Sequence, residues 1–481
     1  MKGSMELYQV VYNVLKTQIQ FGFYKCGDIL PSLENAATDF FVSVDTMRLA
    51  YRQLRREGFV TISTNIGTTV IVDYEEQEIE QNIQAFYGRR KTALIDLSKS
   101  LRLLLGDAQW IGFQNISAEV YSRLQQSEDN APMSQAALLR HVVQAYTALE
   151  NDILFRLVWQ IFMFYEIPLF HMPDNPWRAF VIKEFAPRSL ECCMKQDWDS
   201  LRKLVYASQD SLSQALCQFY DEKITVTASE QEVSFQWNSY DKASQLCYSL
   251  AMDLLISISS GKYPADTFLP SLSKLSQEKQ VSVSTVRRAL SLLNGVGATT
   301  SIKRIGTKVI PLHAVAENCD FSKPVVRKRL LDLAQSLQFF ALSCRNIAED
   351  TVQALKEEEL ETWRKRLTGL KEGQRYELVV YTTMDFLKCF TPYQAVRTIY
   401  KELLQTLFWG YPLRDEWKND ETRIPYYLSC FEEFDSSLAQ KDAVRFSGKL
   451  EELMVRDFHY TIRILISLGI HEAEKLLVRG I

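Results

Sequence analysis

Residues 30–71, LPSLENAATDFFVSVDTMRLAYRQLRREGFVTISTNIGTTVI, recur at 269–310 as LPSLSKLSQEKQVSVSTVRRALSLLNGVGATTSIKRIGTKVI, ungapped and at a constant offset of 239. Identities fall at Leu30/Leu269, Pro31/Pro270, Ser32/Ser271, Val42/Val281, Ser43/Ser282, Thr46/Thr285, Arg48/Arg287, Gly58/Gly297, Gly67/Gly306 and Thr68/Thr307. Solenoid repeats run to about 20–45 residues, so this period describes a duplication of two halves instead. The 481 residues also exceed the roughly 250–300 at which single cores stop growing. Each half reads as a small N-terminal unit and a larger C-terminal one, at 1–75, 76–236, 237–313 and 314–481.

Within the small unit, Leu7, Val10, Val11, Val14, Leu15 and Ile19 share one face at helical spacing, and Gly22 can end that helix. Ser32 can cap a second helix burying Leu33, Ala36, Ala37 and Phe40. Ser43 can cap a third, with Met47, Ala50, Tyr51 and Leu54 inward and Glu57–Gly58 at its end. FVTIS and TTVIVDY, joined by Asn65–Ile66–Gly67, alternate and β-branch as a hairpin does. Three helices and a hairpin form a winged helix-turn-helix.

With the inward positions assigned, the third helix turns Asp45, Thr46, Arg48, Arg52 and Arg55 outward. A guanidinium fork can take two acceptors on guanine, and the remaining cations and hydroxyls can hold phosphate, so such a stripe suits the major groove. The second copy keeps Thr285 and Arg287 and adds Ser284 and Arg288, but has Ser291 and Asn294 in place of Arg52 and Arg55. Its hairpin supplies Lys303, Arg304 and Lys308. Net charge is −4 overall, yet 240–313 carries +5 against −1 for 1–75, so the second copy is the better phosphate binder.

The run G-x-Y, LPS, VS-x-x-T-[MV]-R-x-A-x-x-x-L, G and I-G-T, present twice over about 70 residues each, resembles the GntR regulator family. The resemblance implies a bacterial-style transcription regulator whose third helix enters the major groove, whose wing follows the backbone or minor groove, and whose domains act in pairs on a near-palindromic operator. Carried onto this chain, it marks Ser43, Thr46, Arg48, Gly67 and Thr68, with Ser282, Thr285, Arg287, Gly306 and Thr307, as DNA-facing. Two cations usual in the family are missing from each copy, replaced by Glu34 and Ser273 and by Val44 and Val283; the wing's first glycine has become Asn65 or Arg304.

The larger units lack dense Gly/Pro punctuation and show helical periodicity, as in Leu330, Leu333, Ala334 and Leu337, so all-helical bundles are expected and the fold class is mainly α with small β wings. Segments near 155–177 and 396–417 echo each other. Their aromatics, Trp159, Phe162, Phe164, Tyr165, Phe170 and Trp177, then Tyr400, Phe408, Trp409, Tyr411 and Trp417, read as core first and as an apolar ligand pocket second. Arg156 and Arg397 would hold an anionic ligand group there. Neither segment is long enough for the aminotransferase-like domain some family members carry.

His141, His171, His313, His459 and His471 form no convincing ligand set, so neither a metal nor any cofactor is expected. GxSxG, GxxxxGK[ST] and GxGxxG are absent, and no enzyme is predicted. Nine cysteines without CxxC spacing suit a reducing cytoplasm. The most apolar stretch, 153–170, contains Arg156, Gln160, Glu166 and Pro168, which argues against a membrane span. The expectation is a cytoplasmic regulator of double-stranded DNA, acting as an intrachain pseudo-dimer on an asymmetric operator, with room for a small-molecule effector and a further homodimer. The competing reading is a degenerate winged-helix module for protein interaction, of antirepressor type.

Overall fold

The computed structural model of the chain describes residues 7–117, 119–120, 143–165, 175–225, 232–237, 242–414 and 423–481. It divides into two compact units: Met1–Arg102, Gly112–Ala148 and Phe155–Trp237 in the first, and Leu103–Ile111, Leu149–Leu154 and Asn238–Ile481 in the second. The architecture is mainly helical, and the strands among the described residues form two antiparallel hairpins.

The first half opens with α1 (Leu7–Gln20), α2 (Leu33–Asp39), α3 (Val44–Arg56), β1 (Val60–Ser63) and β2 (Gly67–Val70). Val11, Val14, Leu15 and Ile19 of α1 are buried with Met47, Ala50, Tyr51 and Leu54 of α3, so the 3.6-residue period of each sequence becomes one shared core. Gly22, at φ +74°, reverses the chain after α1, and the Phe23 amide then donates to the Gln18 carbonyl at 2.9 Å. Ser32 accepts from the Asn35 amide at 3.2 Å and Ser43 from that of Thr46 at 3.1 Å, satisfying N–H groups that helix starts leave unpaired. The half continues with α4 (Glu76–Gly88), α5 (Lys91–Gln114), α6 (Asp152–Tyr165), α7 (Pro176–Phe180), α8 (Ala186–Lys195) and α9 (Trp198–Lys223). Between α7 and α8 the backbone widens to a π turn at Val181–Phe185, where Pro187 has no N–H to offer the preceding turn.

The second half repeats the opening as α10 (Lys242–Ser259), α11 (Leu272–Lys279), α12 (Val283–Gly295), β3 (Thr299–Ile302) and β4 (Gly306–Val309). The hairpin registers match position for position, Val60↔Val70 against Thr299↔Val309, and so do the bridges Ile29↔Thr69 and Phe268↔Lys308. Phe41 and Gln280, the equivalent residues after α2 and α11, both adopt φ of +53°. Beyond them lie α13 (Val315–Asn318), α14 (Pro324–Ala354), α15 (Glu357–Glu372), α16 (Val379–Phe390), α17 (Gln394–Thr406), α18 (Ile424–Ala439) and α19 (Ala443–Ser467). α14 is buried on most sides and packs along α19; its buried residues include the polar Arg329, Asp332, Gln335 and Gln338 beside the apolar ones. The core includes Trp363 stacked on Phe386 at 4.0 Å and Phe340 edge-on to Tyr400 at 5.1 Å.

α5 and α14 are also related: LIDLSKSLR at 94–102 matches LLDLAQSLQ at 330–338, an offset of 236. The stretch of α5 that belongs to the second unit, Leu103–Ile111, aligns with 339–347 of α14. Within that unit Asn346 donates to the Asp107 carboxylate at 2.7 Å. Asn151 donates to the Gln335 carbonyl at 2.8 Å and to Gln338 Oε1 at 2.7 Å, while Gln338 donates to the Leu149 carbonyl at 3.1 Å. The Asn151 and Gln338 amides are buried and bonded to one another.

Candidate nucleic-acid interface

In the first winged domain the buried side of α3 leaves Asp45, Leu49, Arg52, Arg55 and Arg56 exposed, with Thr46 and Arg48 half-buried. Arg48 forms an ion pair with Asp45 one turn earlier, so its guanidinium is engaged by a carboxylate that would itself repel phosphate. Ser43 Oγ lies 2.8 Å from Thr46 Oγ1, so the hydroxyl pair expected to meet DNA also closes the helix cap. Leu49 was not among the expected contacts, yet it is 47% exposed and sits between the arginines.

In the second domain Ser282, Ser284, Arg287, Arg288 and Ser291 are exposed at the corresponding places. Asn294, the counterpart of Arg55, donates to Ser301 Oγ at 2.8 Å and accepts from Thr299 Oγ1 at 2.7 Å, tying the helix to the hairpin. Lys303 and Arg304 are exposed at the wing tip, whereas Lys308 turns back to Asp266 at 2.8 Å. Arg304 holds φ of +66°, the left-handed conformation that the usual glycine would adopt freely.

Two expected DNA-facing side chains are buried. On β2 side chains alternate, so burying Val70 carries Thr68, two residues before it, to the same inward side. Thr285 lies in the first turn of α12, with its hydroxyl 2.8 Å from Ser282 Oγ, inside the cap. Gly67 and Gly306 remain exposed at φ of +100° and +149°, and Thr307 is half-buried.

The two domains differ on another face, formed by α1 with the end of α3 and by α10 with the end of α12. In the first it is polar: the Tyr12 hydroxyl donates to Glu57, Lys16 approaches Glu57 at 3.5 Å, and Gln53 donates to the same carboxylate at 2.5 Å. The Tyr12 hydrogen bond, aided by Gln53 and Lys16, holds the Glu57 carboxyl below its ordinary range. The equivalents in the second domain are Ala251, Leu255, Leu292 and Val296, all buried. There the Gly295 carbonyl accepts from the Asp320 amide at 2.9 Å, and a Cβ at Gly297 would lie 2.2 Å from the Val315 carbonyl oxygen. Arg329 stacks over Tyr248 of α10 at 4.1 Å. The first domain instead contacts its own unit through the ends of α1 and α2: Trp159 Nε1 donates to the Phe40 carbonyl at 2.7 Å and Asn82 to that of Gln20 at 3.2 Å.

Trp159, Tyr165, Trp177, Tyr400, Trp409 and Tyr411 are buried, while Phe162, Phe164 and Phe408 are half-buried. Arg156 is half-buried; Arg397 is exposed and donates its Nε–H to the Thr391 carbonyl at 2.8 Å. His141, His171, Glu166, Pro168, Phe170 and Trp417 lie outside the described residues. No described helix is long and apolar enough to cross a membrane.

Two capped helix pairs with basic outer faces, each followed by a hairpin wing, define the winged helix-turn-helix class of DNA-binding domain. Both segments, 7–70 and 249–309, match the profile of the bacterial regulatory proteins of the gntR family, so the chain carries two copies of that family's DNA-binding domain. It is similar to the HTH-type transcriptional repressor YtrA of Bacillus subtilis (strain 168), 27% identical over 119 residues that cover 25% of this chain and 90% of that protein. Among solved structures it is similar to Streptococcus agalactiae GntR, at 17% identity, covering 44% of this chain and 99% of that one with a TM-score of 0.21. It is likewise similar to E. coli McbR/YncC, at 18% identity, covering 45% and 100% with a TM-score of 0.23.

Proposed function

We propose that the chain is a sequence-specific transcription regulator in which the two winged domains of one molecule act as a pseudo-dimer on an operator of two unequal half-sites. The observation that carries this reading is the pair of matching scaffolds, with equal cap and strand registers, presenting different outer side chains on α3 and α12. Ser43, Asp45, Thr46, Arg48, Arg52 and Arg55, with Gly67 at the wing, form the first surface; Ser282, Ser284, Arg287, Arg288, Lys303, Arg304, Gly306 and Thr307 form the second. Thr68 and Thr285 support these surfaces from behind.

The four-domain partition belongs to the same proposal. It is supported by the relatedness of α5 and α14, which extends the repeat beyond the winged domains. The name of the related repressor supports regulation of transcription as the outcome. The helical domains then regulate by changing the spacing of the winged domains in response to a small ligand or partner, because two linked recognition helices must match grooves about 34 Å apart. Selection of bound DNA from random sequence with the intact chain tests the reading. A defined motif of two unlike half-sites occupied by one chain is the expected result. Absence of any motif, or two chains on a symmetric site, overturns it.

A further inference from the structure

The third helices differ most pointedly at one register. With Met47, Ala50, Tyr51 and Leu54 turned inward, the outermost line of α3 runs through Asp45, Leu49, Arg52 and Arg56 at helical spacing. Leu49 is the one apolar side chain on that line, 47% exposed and flanked by cations. An isolated leucine on a protein surface needs no explanation by itself. Its setting does: once this face meets DNA, the surrounding arginines would hold the phosphates and bring Leu49 to the groove floor. The same register of α12 holds Arg288, exposed beside the exposed Arg287.

We infer that position 49/288 makes the two half-sites unlike: Leu49 packs on the 5-methyl group of a thymine, and Arg288 takes the O6 and N7 acceptors of a guanine at the equivalent base. The inference rests on the DNA-binding reading above. In the major groove, thymine offers the one methyl group among the four bases, and guanine offers two adjacent acceptors matching a guanidinium fork. Leucine has no donor or acceptor for a base edge, so the methyl group is the feature it can read. Asp45, which occupies the line one turn before Leu49, is engaged by Arg48 and so leaves the apolar contact undisturbed.

The test compares the intact chain with Leu49→Arg and Arg288→Leu by selection from random DNA, followed by titration of operators in which single thymines are replaced by uracil. For the unaltered chain, uracil at one position of the first half-site should weaken binding about fourfold, the worth of one buried methyl-sized group. Leu49→Arg should abolish that sensitivity and shift the base preference towards guanine there by about ten- to a hundredfold, leaving the second half-site unchanged. Arg288→Leu should shift the second half-site from guanine towards thymine and leave the first alone. Both side chains are exposed, so the variants keep the fold, which a thermal melt checks. If the unaltered chain selects an asymmetric motif but neither variant alters its half-site, the assignment fails while the DNA-binding reading stands. Self-association lost in Leu49→Arg with an unchanged motif also overturns it, assigning Leu49 to a protein contact. No motif at all for the unaltered chain overturns both.

Discussion

The two winged domains share caps, strand register and the left-handed residue after the second helix, yet each meets the rest of its unit through a different face. In the first, Phe40 and Gln20 at the ends of α2 and α1 are bonded to Trp159 and Asn82, and the face formed by α1 with the end of α3 carries the Tyr12–Lys16–Gln53–Glu57 cluster. In the second, that face is apolar and buried, and it closes on the 315–326 stretch through Gly295 and Gly297. A duplicated scaffold keeps the contacts that make it fold, because each is internal to the domain. Its docking face can be re-lettered wholesale, because only the neighbouring element must change with it.

The same substitution at the equivalent glycines Gly297 and Gly58 should separate the two domains most widely. Gly297→Ala should destabilise the second unit by about 3 kcal/mol, because its Cβ meets the Val315 carbonyl and its φ of +75° disfavours a side chain. Gly58→Ala, at φ of +81° with nothing within 4 Å, should cost only about 1–2 kcal/mol. Urea denaturation of the full chain measures both, and equal losses would contradict the asymmetric docking.

On the proposed DNA face, Arg287→Ala should weaken specific binding by about 1–3 kcal/mol. Arg48→Ala should cost less, because Arg48 must first leave Asp45. Asp45→Ser, which copies the second domain's Ser284, should tighten binding about threefold. Competition titrations at fixed salt decide the order, and a larger loss at Arg48 than at Arg287 would refute it.

Trp159→Phe removes the buried bond to Phe40 and should destabilise the first unit by about 1–2 kcal/mol, with faster amide exchange in α2 and no change in α11. Arg304→Gly should stabilise the second wing by about 1 kcal/mol by relieving its left-handed residue, while flattening the salt dependence of DNA binding by about one ion. Asn65→Gly should bring no such gain, since Asn65 does not share that conformation.

The smallest effect is one of pH. The Glu57 carboxyl is held below its ordinary range by Tyr12, so its contribution is present above the unfolded carboxyl pKa and is lost as pH falls through the lower folded value. Acid titration should therefore loosen the first winged domain more than the second, which has Val296 at that place, and Glu57→Gln should remove the difference.

The repeat, the caps at Ser32 and Ser43, the inward residues of α3 and the two wings follow from sequence alone. All depend on local spacing: a helix period, a cap two or three residues from its amide, a strand alternation. The same logic placed Arg48, Arg52, Arg287 and Arg288 on the outer side. Leu49 lies on that outer line too, but attention to charge passes over an exposed leucine. A family motif marks positions without their facing: the strand alternation that buries Val70 also turns the Thr68 side chain inward.

Other features had no local signal. The ion pair between Arg48 and Asp45 competes with many rotamers that spacing does not rank, and the exposure of Arg397 depends on the turn at Thr391. The choice of docking face depended on residues outside each winged domain, Val315 and Asp320 for one and Trp159 for the other. Periodicity tells which side of a helix is apolar, and so it gave the helices of the winged domains and their inward faces. Which apolar or polar side meets which distant element is a matter of shape and hydrogen-bond partners in three dimensions, and that only the tertiary structure decided.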